Sequence, residues 1–277
     1  MVNQQLLVEF LRVYAFQPAT AYWRAVEIDV FRKYLPGSGI FLDLGCGDGK
    51  LSVILFGAKP PKDFSVVGID SDEDETRMAA GNRLYLRIHT CSASTIPEPS
   101  GSFDHVISNS VLEHIEDIEA TLAEVSRLLK PGGTFTFTVP SAGFHSCLRG
   151  PLIPGIPREG YLKEMDERLA HFRYWNADQW GETLTSHGLL IKKQAEYLST
   201  AETRRWESIS RYTSGILSAL HGNRKRPIEL QRKFRLRQTQ NRVTLPRWFA
   251  VLLGNVLSAG VTGAGETNAC LLVQAVK

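Results

Sequence analysis

Cysteine is sparse in this 277-residue chain, and the four present (Cys46, Cys91, Cys147, Cys270) are scattered with no C-x-x-C pair. That argues against both a disulfide framework and a zinc cluster, and it fits a reducing, cytoplasmic setting. No two histidines stand at H-E-x-x-H spacing, so no metal is expected. Asn3, Gln4 and Gln5 follow Met1 where a leader would carry a basic region, so no secretory signal is expected. Internal repeats and low-complexity tracts are lacking. Between Trp248 and Gly265 there is no charge, a length near the lower limit of a membrane span. Asn255, Ser258, Thr262 and four glycines within it weigh against a span, and a buried or interfacial helix over Trp248–Leu257 is expected instead.

Two nucleotide signatures are also missing. The stretch FLDLGCGDGK, Phe41 to Lys50, has Gly45, Gly47 and Gly49, but a G-x-G-x-x-G fingerprint would place its third glycine one residue later. The phosphate loop G-x-x-x-x-G-K-[ST] fails twice, at Leu44 and at Leu51. What is there is a short apolar strand carrying an acid, Asp43, then alternating glycines, then an apolar segment from Leu51 to Phe56 able to open a helix. Glycines after a strand permit a sharp turn and close approach to the main chain. The acid would repel a phosphate and suits a ligand with positive charge.

Asp43-Leu44-Gly45-Cys46-Gly47-Asp48-Gly49 resembles the first motif of class I S-adenosylmethionine-dependent methyltransferases, and a sulfonium cation meets the charge argument. Later segments agree in order. Phe64 to Asp70 (FSVVGID) is a second apolar strand ending in an acid, and Asp72 is the expected cap of the helix that follows. Phe103 to Ser108 (FDHVIS) reads as a fourth strand. Ile118, Leu122, Val125 and Leu129 recur at helical spacing up to the breaker Lys130-Pro131-Gly132-Gly133, and Thr134 to Val139 is a fifth strand. The series FDHVIS, LEHI and LLKPGGTFTFTVP is similar to the same family.

The resemblance implies an α/β fold: a doubly wound, seven-stranded, mostly parallel Rossmann-like sheet. It implies helices before the first strand, a sixth strand over Leu189–Tyr197 after a helix capped by Asn176, and an antiparallel last strand, Cys270–Val276. The chain is read as one methyltransferase domain. It comprises a helical cap (1–38), a cofactor-binding core (39–198), a basic and apolar helical insertion (199–267) and the last strand (268–277). The implied cofactor is S-adenosyl-L-methionine. The residues matching its site are Asp43, Gly45, Cys46 and Gly47 in the first motif, Asp70 and Ser71 at the second strand, Ser92 and Ala93 after the third, and Asn109 after the fourth. Family members often carry an acid where Ser92 stands, so adenine recognition here falls to the serine or to backbone at Ala93. Tyr14, Phe16, Tyr22 and Trp23, and the loop residues Phe144, His145 and Arg149, are candidates for the acceptor site, against the alternative that the first four are ordinary core.

The insertion differs in composition. From Arg224 to Arg247 it holds nine basic residues against one acid, Glu229, in a chain whose net charge is only +3. Three readings stay open: a solvated face, a contact with an anionic membrane surface or lipid-linked anionic acceptor, and nucleic-acid binding. The loop Ser108-Asn109-Ser110-Val111 lacks the proline and aromatic of the N/D-P-P-Y/F motif, which argues against nucleic acid. The expected reaction is methyl transfer, at oxygen, to a small-molecule or lipid- or glycan-linked acceptor. His114 is the candidate base, with simple packing of the loop as its alternative. A nicotinamide-dependent oxidoreductase and a non-catalytic S-adenosylmethionine-binding partner protein are the competing classes.

Overall fold

The computed structural model describes residues 2–57, 63–152, 155–215, 244–261 and 267–277. The basic residues from Arg224 to Arg242 lie outside these; Arg247 is within them. The chain divides into two compact units, one formed by Met1–Asp29, Ala142–Tyr174 and Tyr197–Ala269, the other by Val30–Ser141, Trp175–Glu196 and Cys270–Lys277.

The second unit carries the sheet. Its strands are β1 (Gly39–Leu44), β2 (Phe64–Asp70), β3 (Tyr85–Thr90), β4 (Phe103–Asn109), β5 (Leu129–Pro140), β6 (Leu190–Ser199) and β7 (Asn268–Val276). They lie in the order β3-β2-β1-β4-β5-β7-β6. β1 pairs in parallel with β2 and β4, β2 with β3, and β4 with β5; β7 runs antiparallel to β5. This is the expected seven-stranded, mostly parallel sheet. Strand order reverses between β1 and β4, so the carboxyl ends of β1, β2 and β4 converge where such sheets take ligands.

Helices α3 (Lys50–Phe56), α4 (Glu73–Ala79), α5 (Ile118–Leu128) and α8 (Ala177–Ser186) belong to this unit. The apolar stripe of α5 (Ile118, Leu122, Val125, Leu128) and Trp180 and Leu184 of α8 bury against Leu42, Val67, Val106, Phe135, Phe137 and Val273. Phe41, Phe56 and Phe64 form an aromatic cluster, with Phe41 stacked on Phe64 at 4.3 Å between ring centroids. Asp72 caps α4 by accepting from the Asp74 and Glu75 amides, and Asn176 caps α8 in a reciprocal box with Gln179. Both caps follow the sequence expectation.

One boundary is corrected. The Lys130–Gly133 breaker was expected to separate α5 from a strand beginning at Thr134, but the helix ends at Leu128 and β5 already pairs at Leu129, opposite Phe103. The register then slips, with His105 opposite Thr134, and the breaker forms the bulge between. Gly132, at φ +78°, turns its amide onto the Lys277 carbonyl, which holds the bulge to the end of β7.

The other unit is helical: α1 (Gln4–Val13), α2 (Pro18–Phe31, most of it here), α6 (Phe144–Cys147), α7 (Arg158–Leu169), α9 (Thr200–Ser210) and α10 (Arg247–Ser258). Leu6, Leu7, Phe10 and Leu11 form the buried stripe of α1. Trp23 makes T-shaped contacts with Phe144 and Trp206, the latter at 5.1 Å between centroids, and Phe144 and Trp206 lie tilted against each other. The buried Glu207 carboxylate accepts from the Arg149 and Gly150 amides, the Tyr161 hydroxyl and Arg211, which ties α9 to the segment after α6.

Candidate functional site

The turn after β1 is built on three glycines with three different reasons to be glycine. All have positive φ, +78° at Gly45, +52° at Gly47 and +73° at Gly49. A Cβ on Gly45 would lie 2.5 Å from a Val111 methyl, and one on Gly49 would lie 2.6 Å from Asn82 Nδ2 and 2.8 Å from the Tyr85 ring. Those two are closed in by neighbouring side chains. A Cβ on Gly47 would meet only the Glu75 carboxylate, at 3.8 Å. Of the three, Gly47 presents its backbone to open space.

The tip of β2 holds this turn. The Ile69 carbonyl accepts from the Gly45 and Cys46 amides at 2.9 and 2.8 Å. The Asp70 carboxylate accepts from the Gly47 amide at 2.9 Å and the Asp72 amide at 3.0 Å. Its carbonyl takes the Cys91 amide at the end of β3. Ser108 Oγ donates to the Leu44 carbonyl from β4. The ends of four parallel strands are thus linked through the predicted motif residues.

Asp43 is nearly wholly buried, and its Oδ2 accepts from Ser52 Oγ at 2.5 Å and the Tyr85 hydroxyl at 2.7 Å. It therefore fastens β1 to α3 and β3 beneath the turn. Burial, opposed by those two hydrogen bonds and aided by the Asp70 charge, pushes its pKa up from 3.8 to about 6. The folded protein holds this proton at pH values where the unfolded chain has released it. The contribution of this group to stability therefore falls as pH rises from about 4 to about 6 and levels above that, by up to about 3 kcal/mol at 1.36 kcal/mol per pKa unit. Asp43→Asn keeps an oxygen to accept both hydroxyls and removes the titration. The variant is expected to gain on the parent across that interval in denaturant unfolding; parallel stability curves from pH 4 to pH 7 would count against this account.

The other expected residues are placed as follows. Burial, then the charges of Asp43 and Asp70, pushes the Cys46 thiol up, so it remains a neutral donor to the Gly47 carbonyl and not a nucleophile. Ser71 and Ser92 are exposed and Ala93 is half-buried against the core. Ser92 Oγ is engaged in its own turn, with Ser94. Asn109 is buried and donates to Thr138 Oγ1 on β5. His114 ends a 3₁₀ turn, Leu112–His114, and is exposed, with Nε2 3.9 Å from Glu113.

Sequence reasoning missed Ser52, Tyr85, Glu75, Val111 and Ser110. The first two complete Asp43, Glu75 is a buried acid beside Gly47, and Val111 closes over Gly45. Ser110 takes φ +49°, a left-handed conformation unusual for serine, with its amide on the Thr138 carbonyl. Nothing local in the sequence marks these five; sheet order brings them together. In the helical unit Tyr14, Tyr22 and Trp23 are buried, Phe16 is exposed, and Phe144 lies in the aromatic core. His145 pairs with Asp166 at 2.8 Å, and the Tyr174 hydroxyl donates to the same oxygen.

A family model described as a methyltransferase domain matches residues 21–194, and the chain belongs to this family, the class I S-adenosylmethionine-dependent methyltransferases. The dimethylglycine N-methyltransferase of Parasynechococcus marenigrum is 36% identical over 127 residues, 44% of this chain and 45% of that protein. The chain spans about half the length of the curated relatives it matches. The fold is shared with a methyltransferase of Thermotoga maritima described as a possible histamine N-methyltransferase (TM-score 0.54, 13% identity, 98% of this chain and 99% of that one). It is also shared with an S-adenosylmethionine-dependent methyltransferase of Mesorhizobium loti (TM-score 0.52, 20% identity, 90% and 96%). The donor this family implies is S-adenosylmethionine, in place of the nicotinamide of the competing reading.

The site's chemistry is compatible with that donor. Asp43, Asp48, Asp70 and the buried Glu75 surround the turn, with Lys50 paired to Asp48 at 2.8 Å. Such an acidic surround suits a cation that also carries an ammonium group.

Proposed function

We propose that this protein transfers the methyl group of S-adenosylmethionine to an oxygen of a small-molecule or lipid- or glycan-linked acceptor. The observation that carries the reading is the coupling of the Asp70 carboxylate to Gly47, the open glycine of the turn, in an acidic surround. Bound there, the cofactor would supply an electrophilic methyl group. Asp70 and Ser71 would hold its ribose, Gly45, Cys46 and Gly47 its methionine portion, Ser92 and Ala93 its adenine, and Asn109 the methionine end through backbone. Asp43 acts on it through the turn that Asp43 supports. Orienting the acceptor behind the methyl group and excluding water supply most of the rate advantage. A hydroxyl acceptor must also lose its proton, and His114 in the turn after β4 is the proposed base. The exposed apolar face of α10 supports a lipid-linked acceptor over a freely diffusing one.

A second reading, methylation of a small amine, is favoured by the name of one relative, a dimethylglycine N-methyltransferase. The test is to incubate the purified protein and methyl-labelled S-adenosylmethionine with an extract of the source cells, then separate lipid, small polar, protein and nucleic-acid fractions. Label in lipid or small polar material is expected, and the NMR shift of the transferred methyl distinguishes oxygen from nitrogen. Cofactor binding with no label transferred to any fraction would favour the non-catalytic partner reading instead. His114→Ala is expected to lower kcat roughly 10²- to 10⁴-fold with cofactor affinity unchanged and to abolish the acidic limb of the pH–rate profile. An unaltered profile would remove His114 from the role.

A further inference from the structure

Helix α10 (RWFAVLLGNVLS) has two faces with opposite surroundings. Ala250 and Gly254 are buried, and Gly254 sits against α1, where a Cβ would meet Gln4, Val8 and Leu11 at 3.5 to 3.7 Å. Hydrogen bonds fix the helix at both ends: Gln4 to Ser258, Arg12 to the Leu245 carbonyl, and Arg205 to the Ala259 carbonyl. The opposite face is apolar and open. Trp248 is 70% exposed, Val256 60% and Leu252 56%, with Val251 and Phe249 near 40%. At about 100° per residue these five side chains span roughly 160° of the circumference, away from the α1 side. Asn255 is the polar residue among them, and the helix carries no acid.

We infer that this face docks the protein onto an anionic lipid surface, with α10 lying in the plane of the interface. Three observations support that occupant. The helix is 12 residues, about 18 Å at 1.5 Å per residue, well short of the ~30 Å hydrocarbon core. No helix among the described residues is long and apolar enough to cross a membrane. Arg12 and Arg247 are exposed at one end of the α1–α10 pair, and the sequence running into Arg247 carries eight further basic residues from Arg224 to Arg242. An apolar face flanked by the exposed Arg12 and Arg247, in a sequence rich in basic residues just before the helix, is complementary to lipid tails under anionic headgroups. Docking does not require methyl transfer itself, but its failure would also remove the support for a lipid-linked acceptor.

The test is co-sedimentation of the full chain with phosphatidylcholine vesicles, with and without phosphatidylglycerol, at low and high salt. Binding that requires the anionic lipid and weakens with salt is expected. Leu252→Glu and Trp248→Glu, both on the exposed face, are each expected to lower partitioning roughly tenfold or more while leaving the circular dichroism and cofactor affinity unchanged. Absence of binding to the anionic vesicles, or equal binding by the two variants, overturns the proposal. So does a concentration-dependent dimer that Leu252→Glu dissociates, which would assign the face to a second copy.

Discussion

Asp70→Ala is expected to weaken S-adenosylmethionine binding roughly 10- to 100-fold. A hydrogen bond to a charged group contributes about 1.5–3 kcal/mol, and each 1.4 kcal/mol is a factor of ten. The carboxylate has one task in the structure and a second in the proposed complex. It holds the Gly47 amide and the Asp72 amide, and in the proposed complex it would also accept from ribose hydroxyls. Alanine removes both. Asparagine retains one accepting oxygen but no charge, so Asp70→Asn should fall between the two. Calorimetric titration of the three proteins checks the order. Unchanged affinity in Asp70→Ala would separate the glycine turn from cofactor binding altogether.

Gly45→Ala is expected to destabilise the fold by about 2–4 kcal/mol, while Gly47→Ala costs stability only through its backbone strain, about 1–2 kcal/mol. Both residues have positive φ, so both substitutions are strained. They differ in room. The new methyl at position 45 would collide with Val111, whereas the one at position 47 would enter open space near Glu75. Gly47→Ala should therefore spare the fold and reduce cofactor affinity. The collision has its own test, a double-mutant cycle with Val111→Ala, which removes the offending methyls. Part of the loss in Gly45→Ala should return in the double mutant. Denaturant unfolding measures this, and strict additivity of the two substitutions would reject the steric account.

The sheet was legible because its signals are local. A short apolar run ending in an acid placed β2, and the cap residues Asp72 and Asn176 marked the starts of α4 and α8. The end of α5 was less legible. Pro131 and the two glycines after it read as a break, yet pairing with β4 and β7 draws them into a bulge of β5. A cross-strand partner outweighed local propensity there. The basic stretch from Arg224 to Arg242 was legible only as charge.

By itself the sequence determined the order of elements, the motif that carries the family, and the concentration of charge before Arg247. Each is written within a few neighbouring residues. The tertiary structure decided which glycine is open, because Val111 in the loop after β4 and Tyr85 in β3 reach Gly45 and Gly49 from far along the chain. It decided that Asp43 is held by Ser52 and Tyr85. It also decided which face of α10 is covered, since an apolar helix reads the same from sequence whether its stripe meets α1 or open space. Contacts between residues distant in sequence depend on strand order and helix docking, and no local pattern encodes those.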